Sequence, residues 1–127
     1  MIAYQYSHTY YPPAPVLEVN FVTIAEMRRT STLSALVDTG ADGTIVPIEY
    51  LENIRAPFVG EMFIRTQWGD AHPVSLYKVD IQIGDITLPG IDVVGDELSN
   101  EVIIGRDILN RLRVLLDGPQ KMIEVSE

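Results

Sequence analysis

The apolar run Ala35-Leu36-Val37 stops at Asp38-Thr39-Gly40, and apolar residues resume at Ile45-Val46 before Pro47. A carboxylate therefore sits at the end of one strand, on a tight turn, with hydrophobic structure on both sides. Asp, Thr and Gly are ordinary turn residues, so the tripeptide alone says little. Its setting says more, because a turn locked between two buried strands holds an acid rigidly enough for chemistry. A second segment, Val102-Ile103-Ile104-Gly105-Arg106-Asp107-Ile108-Leu109, again joins an apolar run to a glycine and charged residues.

The rest of the chain reads as short strands separated by turns. Strands are expected at Val16 to Val22, Thr32 to Val37, Phe58 to Gln67 and Pro73 to Ile83, with a polar turn at Ala25 to Ser31. Trp68-Gly69-Asp70-Ala71-His72 forms a polar hairpin tip between the two long strands. Val74 and Leu76 share one parity while Val79, Ile81 and Ile83 share the other, which implies a bulge or a change of buried face. Gly84-Asp85 suits a two-residue turn with glycine first, returning as Ile86 to Val94 with an interruption at Pro89-Gly90. Asp92 to Glu101 reads as an acidic loop. Pro47 to Leu51 suits one helical turn with Pro47 at the first helical position. Arg106 to Leu112 is the one convincing helix, with Asp107 near its start. Val114 to Leu116, the turn Asp117 to Gln120, and Met122 to Val125 close the chain.

Residues 1–15 differ in composition, with Tyr4, Tyr6, Tyr10 and Tyr11 and Pro12, Pro13 and Pro15. They read either as a Tyr/Pro-rich arm, mobile or packed late, or as a strand added to a sheet edge, since Tyr4 and Tyr6 alternate with polar neighbours. The domain proper is then 16–127. At 127 residues and 46% hydrophobic there is material for one core and not two. A site needing two related halves would have to take one from a second copy.

Eighteen acidic against nine basic residues give a net charge of −9, and no basic cluster exceeds Arg28-Arg29. That argues against a nucleic-acid partner and predicts repulsion between copies at low salt. There is no cysteine, which removes disulfides, thiolate metal sites and a cysteine nucleophile. His8 and His72 are too scattered to suggest a zinc site, and nothing calls for a metal or cofactor. The N-terminus lacks the basic and apolar regions of a signal peptide. No window approaches the ~20 apolar residues of a membrane span. A soluble, cytoplasmic protein without a membrane partner is the expectation.

The two motifs, Asp38-Thr39-Gly40-Ala41-Asp42 with Thr44 and Ile103-Ile104-Gly105-Arg106, occur in an order and at a distance that resembles the retropepsins, the retroviral-type aspartic proteases. The likeness is greatest to their bacterial and retroelement single-domain members and extends from about Val16 to Val125. It implies an all-β, small closed barrel with one short C-terminal helix, active as a homodimer on peptide or protein substrates. It further implies that Asp38 of each copy is catalytic, one carboxylate activating water as general base and the other donating a proton to the peptide carbonyl. Thr39 would brace the two loops across the dimer, and Gly40 would let backbone approach the carboxylates. Ala41 would stay small beside substrate, Asp42 would pair with Arg106, and Thr44 and Gly105 would support the loop. Trp68, Gly69, Asp70 and Ala71 would form a flap over substrate, although Trp68 reads equally well as a core aromatic.

The chain departs from the retroviral pattern in three places. Asp107 stands where Asn is common, the flap tip has fewer glycines, and the N-terminal arm has no counterpart. Two further readings follow from the same residues. One is a dimerisation or peptide-binding module with little turnover. The other is a domain cut from a polyprotein, with Tyr11-Pro12 as a junction. The intact Asp38-Thr39-Gly40-Ala41 favours the endopeptidase.

Overall fold

Side chains on a strand alternate between two faces, so buried apolar residues from several strands can line a shared interior. The structure is a computed structural model that describes residues 1–65 and 68–127. In chain order its elements are β1 (Ile2–Gln5), β2 (Val16–Thr23), β3 (Arg28–Arg29), β4 (Leu33–Val37), β5 (Ile45–Pro47), α1 (Ile48–Asn53), β6 (Phe58–Arg65), β7 (Ala71–Ile83), β8 (Ile86–Asp96), β9 (Val102–Ile104), α2 (Arg106–Leu109), β10 (Arg113–Asp117) and β11 (Met122–Ser126).

Strands β2, β4, β5, β7, β8, β9 and β11 each turn buried apolar residues towards this shared interior. Strand β2 does the work of closure. Its first half pairs antiparallel with β4, Leu17 opposite Ala35, and its second half pairs antiparallel with β7, Phe21 opposite Ile81. From β4 the ladder runs through β9, β5 and β8 back to β7, so β2, β4, β9, β5, β8 and β7 form a closed barrel of six strands. Closure leaves few open edges; β3 and β6 sit at the two outer ends of the same sheet. Leu17, Val19 and Phe21 from β2, Ile81 and Ile83 from β7, Ile104 from β9 and Ile108 from α2 fill the interior with no or almost no exposure. Burying such a side chain contributes roughly 1.5–3 kcal/mol each.

The parity change expected between Leu76 and Val79 is not a bulge within β7, whose pairing with β8 is regular from Ser75 to Val79; the one register shift against β8 comes later. Pairing passes from Val79–Ile91 to Ile81–Leu88, so the extra residue lies on β8, at Pro89-Gly90, and not on β7 itself. Gly90 takes φ +65° there, and its N–H donates to the Asp80 carboxylate at 2.9 Å. The Gly84-Asp85 turn forms as expected between the paired Ile83 and Ile86. A Cβ on Gly84 would lie 2.5 Å from the Ile2 side chain, which packs against this turn.

Several boundaries differ from the sequence reading. Pro47 is the last residue of β5 and the N-cap of α1, ahead of the first helical position, so there are two short helices among the described residues. Helix α2 ends at Leu109, three residues early. Ala71 and His72 belong to β7, opposite Arg65 and Ile64, and not to the hairpin tip. The last two residues expected in β6, Thr66 and Gln67, lie outside the described residues. Asp92 to Asp96 continue β8, which leaves only 97–101 as the acidic loop.

The first fifteen residues pack as the added-strand alternative. β1 pairs antiparallel with β11, Ile2 opposite Val125 and Tyr4 opposite Ile123, and β11 pairs on its other side with β10. Beyond β1 the chain makes a small loop closed by Ser7 and Ala14, whose N–H groups donate to each other's carbonyls at 2.8 and 3.1 Å. The Tyr10 hydroxyl pins this loop by donating to Glu101. Burial, and then the hydrogen bond to Glu101 and its charge, push the Tyr10 hydroxyl up to about 12.

Because its folded value is raised, the Tyr10 contribution is complete below the usual phenol range and is lost only as pH rises from about 10 towards 12. Tyr10→Phe should cost about 1 kcal/mol of local stability, a roughly fivefold faster amide exchange at Ser7 and Ala14 at neutral pH. Exchange unchanged by the substitution would show that the loop is held by something else.

Candidate active site

Parallel pairing of β4 with β9, Val37 opposite Ile104, makes both strands leave the barrel at one end. The residues that follow, Asp38 and Gly105, are thereby brought side by side from positions far apart in the chain. The Asp38 N–H donates to the Ile104 carbonyl at 3.0 Å, extending the ladder by one bond. The chain then turns, with the Ala41 N–H donating to the Asp38 carbonyl at 3.2 Å. The Gly40 N–H donates to Asp38 Oδ1 at 2.9 Å and orients the carboxylate from beneath. A Cβ on Gly40 would sit 3.1 Å from that same oxygen, so glycine leaves the carboxylate uncrowded.

Gly105 is needed for space. Its φ of −97° is open to any residue, but a Cβ there would lie 2.6 Å from Gly43 C and O and 2.9 Å from the Ala41 carbonyl oxygen. The loop at 41–43 lies directly against the Gly105 backbone, and the Arg106 N–H donates to the Ala41 carbonyl at 2.9 Å. Immediately after the loop, Thr44 is fully buried. Its hydroxyl accepts the Gly105 N–H at 3.1 Å and donates to Asp107 Oδ1 at 2.8 Å, while its own N–H donates to Asp107 Oδ2 at 3.1 Å. Asp107 Oδ1 also accepts the Ile108 N–H at 2.9 Å. Asp107 is thus part of the loop's support, a role beyond the helix cap read from its position at the start of α2. The signal was present in the sequence only as an acid directly after Gly105-Arg106.

Arg106 forms the pair with Asp42 and also donates through Nη1 to the Thr39 carbonyl at 2.7 Å. The Asp42 side chain is 93% exposed, so this is a surface pair and not a partly buried one. Hydrogen bonds therefore tie Asp38, Thr39, Gly40, Ala41, Asp42 and Arg106 together and tie Thr44 to Gly105 and Asp107, the two sets meeting at the Gly105–Arg106 peptide. Trp68, Gly69 and Asp70 stand on a separate element, the end of the β6–β7 hairpin, where Trp68 is 81% exposed and is not a core aromatic. Ala71 is in the ladder of that hairpin. Among the described residues no three His, Asp or Glu side chains gather as metal ligands, and no helix is long and apolar enough to cross a membrane.

Residues 25–111, more than half the chain, match the family described as gag-polyprotein putative aspartyl protease. The chain belongs to this retropepsin-like aspartyl protease family. Solved structures of the same fold include a retropepsin-like aspartic protease from Rickettsia conorii, at 14% identity and a TM-score of 0.64 over 99% of this chain and 92% of that one. The EIAV protease in complex with the inhibitor HBY-793 matches at 19% identity and 0.57, over 77% and 86%. The retroviral protease-like domain of Ddi1 from Leishmania major matches at 15% and 0.57, over 90% and 89%. No curated protein matches the sequence. For a retropepsin-like chain the closed barrel with two short helices is the family fold.

Two energetic expectations follow for this family member. Thr44→Val keeps the shape but leaves the buried Gly105 N–H without its acceptor and removes one of the two bonds to Asp107 Oδ1, which should cost about 1–3 kcal/mol in urea unfolding. A loss under 0.5 kcal/mol would contradict the assigned network. By contrast, an Asp42→Asn, Arg106→Gln double-mutant cycle should give a coupling of only about 0–1 kcal/mol, because the pair is solvated. A coupling of about 3 kcal/mol would mean that the pair is buried in the working molecule.

Proposed function

We propose that this chain is an aspartic endopeptidase that works as a homodimer, each copy giving one Asp38 to a shared pair of carboxylates. The observation that carries the reading is the setting of Asp38. It is half-buried at the barrel end, held at its N–H and at one carboxylate oxygen, with exposed Thr39 and Gly40 beside it. Clefts beside Tyr50, Tyr10 and Arg113 on the described surface do not include Asp38. A second copy facing this loop would supply both the other acid and the missing wall of a cleft. We assign the Thr39 hydroxyl to a bond across that contact.

Two carboxylates a few ångströms apart cannot both be ionised without large cost, so the pair shares one proton. The ionised member takes a proton from water, whose oxygen attacks the peptide carbonyl carbon. The protonated member gives its proton to the carbonyl oxygen, and collapse of the tetrahedral species with proton transfer to nitrogen releases amine and acid. No residue becomes covalently attached, consistent with a chain lacking cysteine. The β6–β7 hairpin carries exposed Phe58, Val59, Met62, Phe63 and Ile64 as well as Trp68. An apolar surface on a two-stranded hairpin suits a flap that closes over peptide side chains.

For the dimer sheet, β11 is covered on both edges by β1 and β10. We therefore place the contact at the outer edge of β10, where Leu115 and Leu116 are 55% and 49% exposed, in place of Met122 to Val125.

Asp38→Asn should lower peptide cleavage by at least about 10²–10⁴-fold while leaving a folded dimer. The rate should also fall on both sides of an optimum below neutrality, since only the singly protonated pair works. Added salt should raise activity near neutral pH by screening the −9 charge. Cleavage that persists in the purified Asp38→Asn protein, or a rate still rising above pH 8, would remove the carboxylate pair from the mechanism.

A further inference from the structure

In a chain of net charge −9, two adjacent cations beside one cleft with no carboxylate in its lining locally reverse the overall charge. Arg28 and Arg29 form β3, the outermost strand at one end of the barrel sheet. Beside them a cleft of about 350 Å³ opens between the β2–β3 hairpin and the end of α1. Arg28, Arg29, Thr30 and Ser31 form one wall, Tyr50 and Asn53 the other, and Ile54 contributes the apolar part. No carboxylate lines it. This cleft shares no residue with the network around Asp38.

The two guanidinium groups are positioned by neutral partners. Arg29 Nη2 donates to Gln82 Oε1 at 2.6 Å, and Arg28 Nη1 donates to the Asn53 carbonyl at 3.5 Å. Among the described residues the ion pairs involve Arg55, Lys78 and Arg106, so neither Arg28 nor Arg29 has a carboxylate within 4.0 Å. Each keeps several unused donors. The Thr30 hydroxyl accepts the Phe21 N–H at 3.1 Å, which leaves its own proton to donate. With Ser31, Tyr50 and Asn53 the cleft is rich in donors.

Two planar forks, hydroxyl donors and no competing acid make a receptor for an oxyanion, because guanidinium matches phosphate and carboxylate oxygens two at a time. One water occupies roughly 30 Å³; the cleft is therefore larger than a lone anion needs and has room for the group that bears it.

We propose that this cleft is an oxyanion-binding site that takes a phosphate or carboxylate group between Arg28 and Arg29. The anion comes either as a free small molecule or on the side chain of an acidic peptide segment. Binding here is independent of proteolysis, so it stands or falls without reference to the Asp38 reading.

The test is a titration of the full chain followed by its amide and arginine Nε–H resonances. Inorganic phosphate and tetraglutamate are added separately at ionic strength held constant with sodium chloride. Saturable shifts confined to residues 28–31 and 50–54 are expected, with affinity at least tenfold weaker in Arg28→Gln/Arg29→Gln and unchanged in Arg111→Gln/Arg113→Gln. Should the first double variant fold poorly, Arg29→Lys keeps the charge but loses the fork, and is expected to weaken binding severalfold. Saturation by phosphate assigns a free small anion, and saturation by tetraglutamate alone assigns an acidic segment. Shifts that grow linearly with both ligands, or equal affinity in wild type and either Arg28/Arg29 variant, would overturn the proposal.

Discussion

The buried Thr44 hydroxyl stands where three parts of the chain meet. It receives the Gly105 N–H at the end of β9 and gives its proton to Asp107 at the start of α2, while Asp107 takes the Thr44 N–H in return. Thr44 and Gly105 are buried and Asp107 is half-buried, so an unmet donor or acceptor on Thr44 or Gly105 costs more than an ordinary hydrogen bond contributes. The bonds therefore specify one arrangement of strand, loop and helix. That arrangement works only because Gly105 has no side chain to push against Gly43 and Ala41. With the loop clamped from behind in this way, the carboxylate of Asp38 in front of it is fixed relative to the barrel. Arg106 adds guidance at the surface through Thr39 and Asp42, but little stability, since Asp42 is in water.

Much of this was legible in the sequence, and the legible parts have a common physical basis. The turn at Asp38, the Gly84-Asp85 hairpin and the terminal hairpin of β10 and β11 all announce themselves through alternating apolar residues bounded by turn chemistry. What local pattern could not reveal is pairing between distant segments. Nothing in Val16 to Thr23 says that its two halves pair with different strands, and nothing in Ala35 to Val37 says that its neighbour is the parallel strand at Val102. His72 looked like loop because the outer part of the β6–β7 hairpin stands away from the barrel, where a strand needs no buried face. Asp92 to Asp96 looked like loop because acids dominate the segment, yet Val93 and Val94 between them are buried and carry β8 onward. Residues 1–15 were ambiguous because tyrosine and proline suit an extended arm and an edge strand equally.

Within the site, two short motifs pointed to residues that hydrogen-bond to one another, but not to every member of that set. The pairing of Asp42 with Arg106 was readable from the motifs, but its exposure was not. Asp107 looked like a helix cap and proved to be a partner of Thr44, across 63 residues of chain. Chain length supplies the remaining constraint. A domain with one core and one Asp-Thr-Gly loop presents a single acid at an open barrel end, and a mechanism built on two acids then needs two chains. Association of the proposed dimer must overcome the mutual repulsion of two molecules of charge −9, so contact area, pH and salt all bear on the same equilibrium.

The claim that both acids come from different copies is tested most directly by mixing wild type with Asp38→Asn at fixed total concentration, after exchange of subunits, and measuring peptide cleavage. If each active centre needs an Asp38 from both chains, activity falls as the square of the wild-type fraction. An equal mixture then retains about a quarter of full activity under random pairing. A linear fall, with half the activity retained, would mean that one chain carries a complete active centre and would contradict the account.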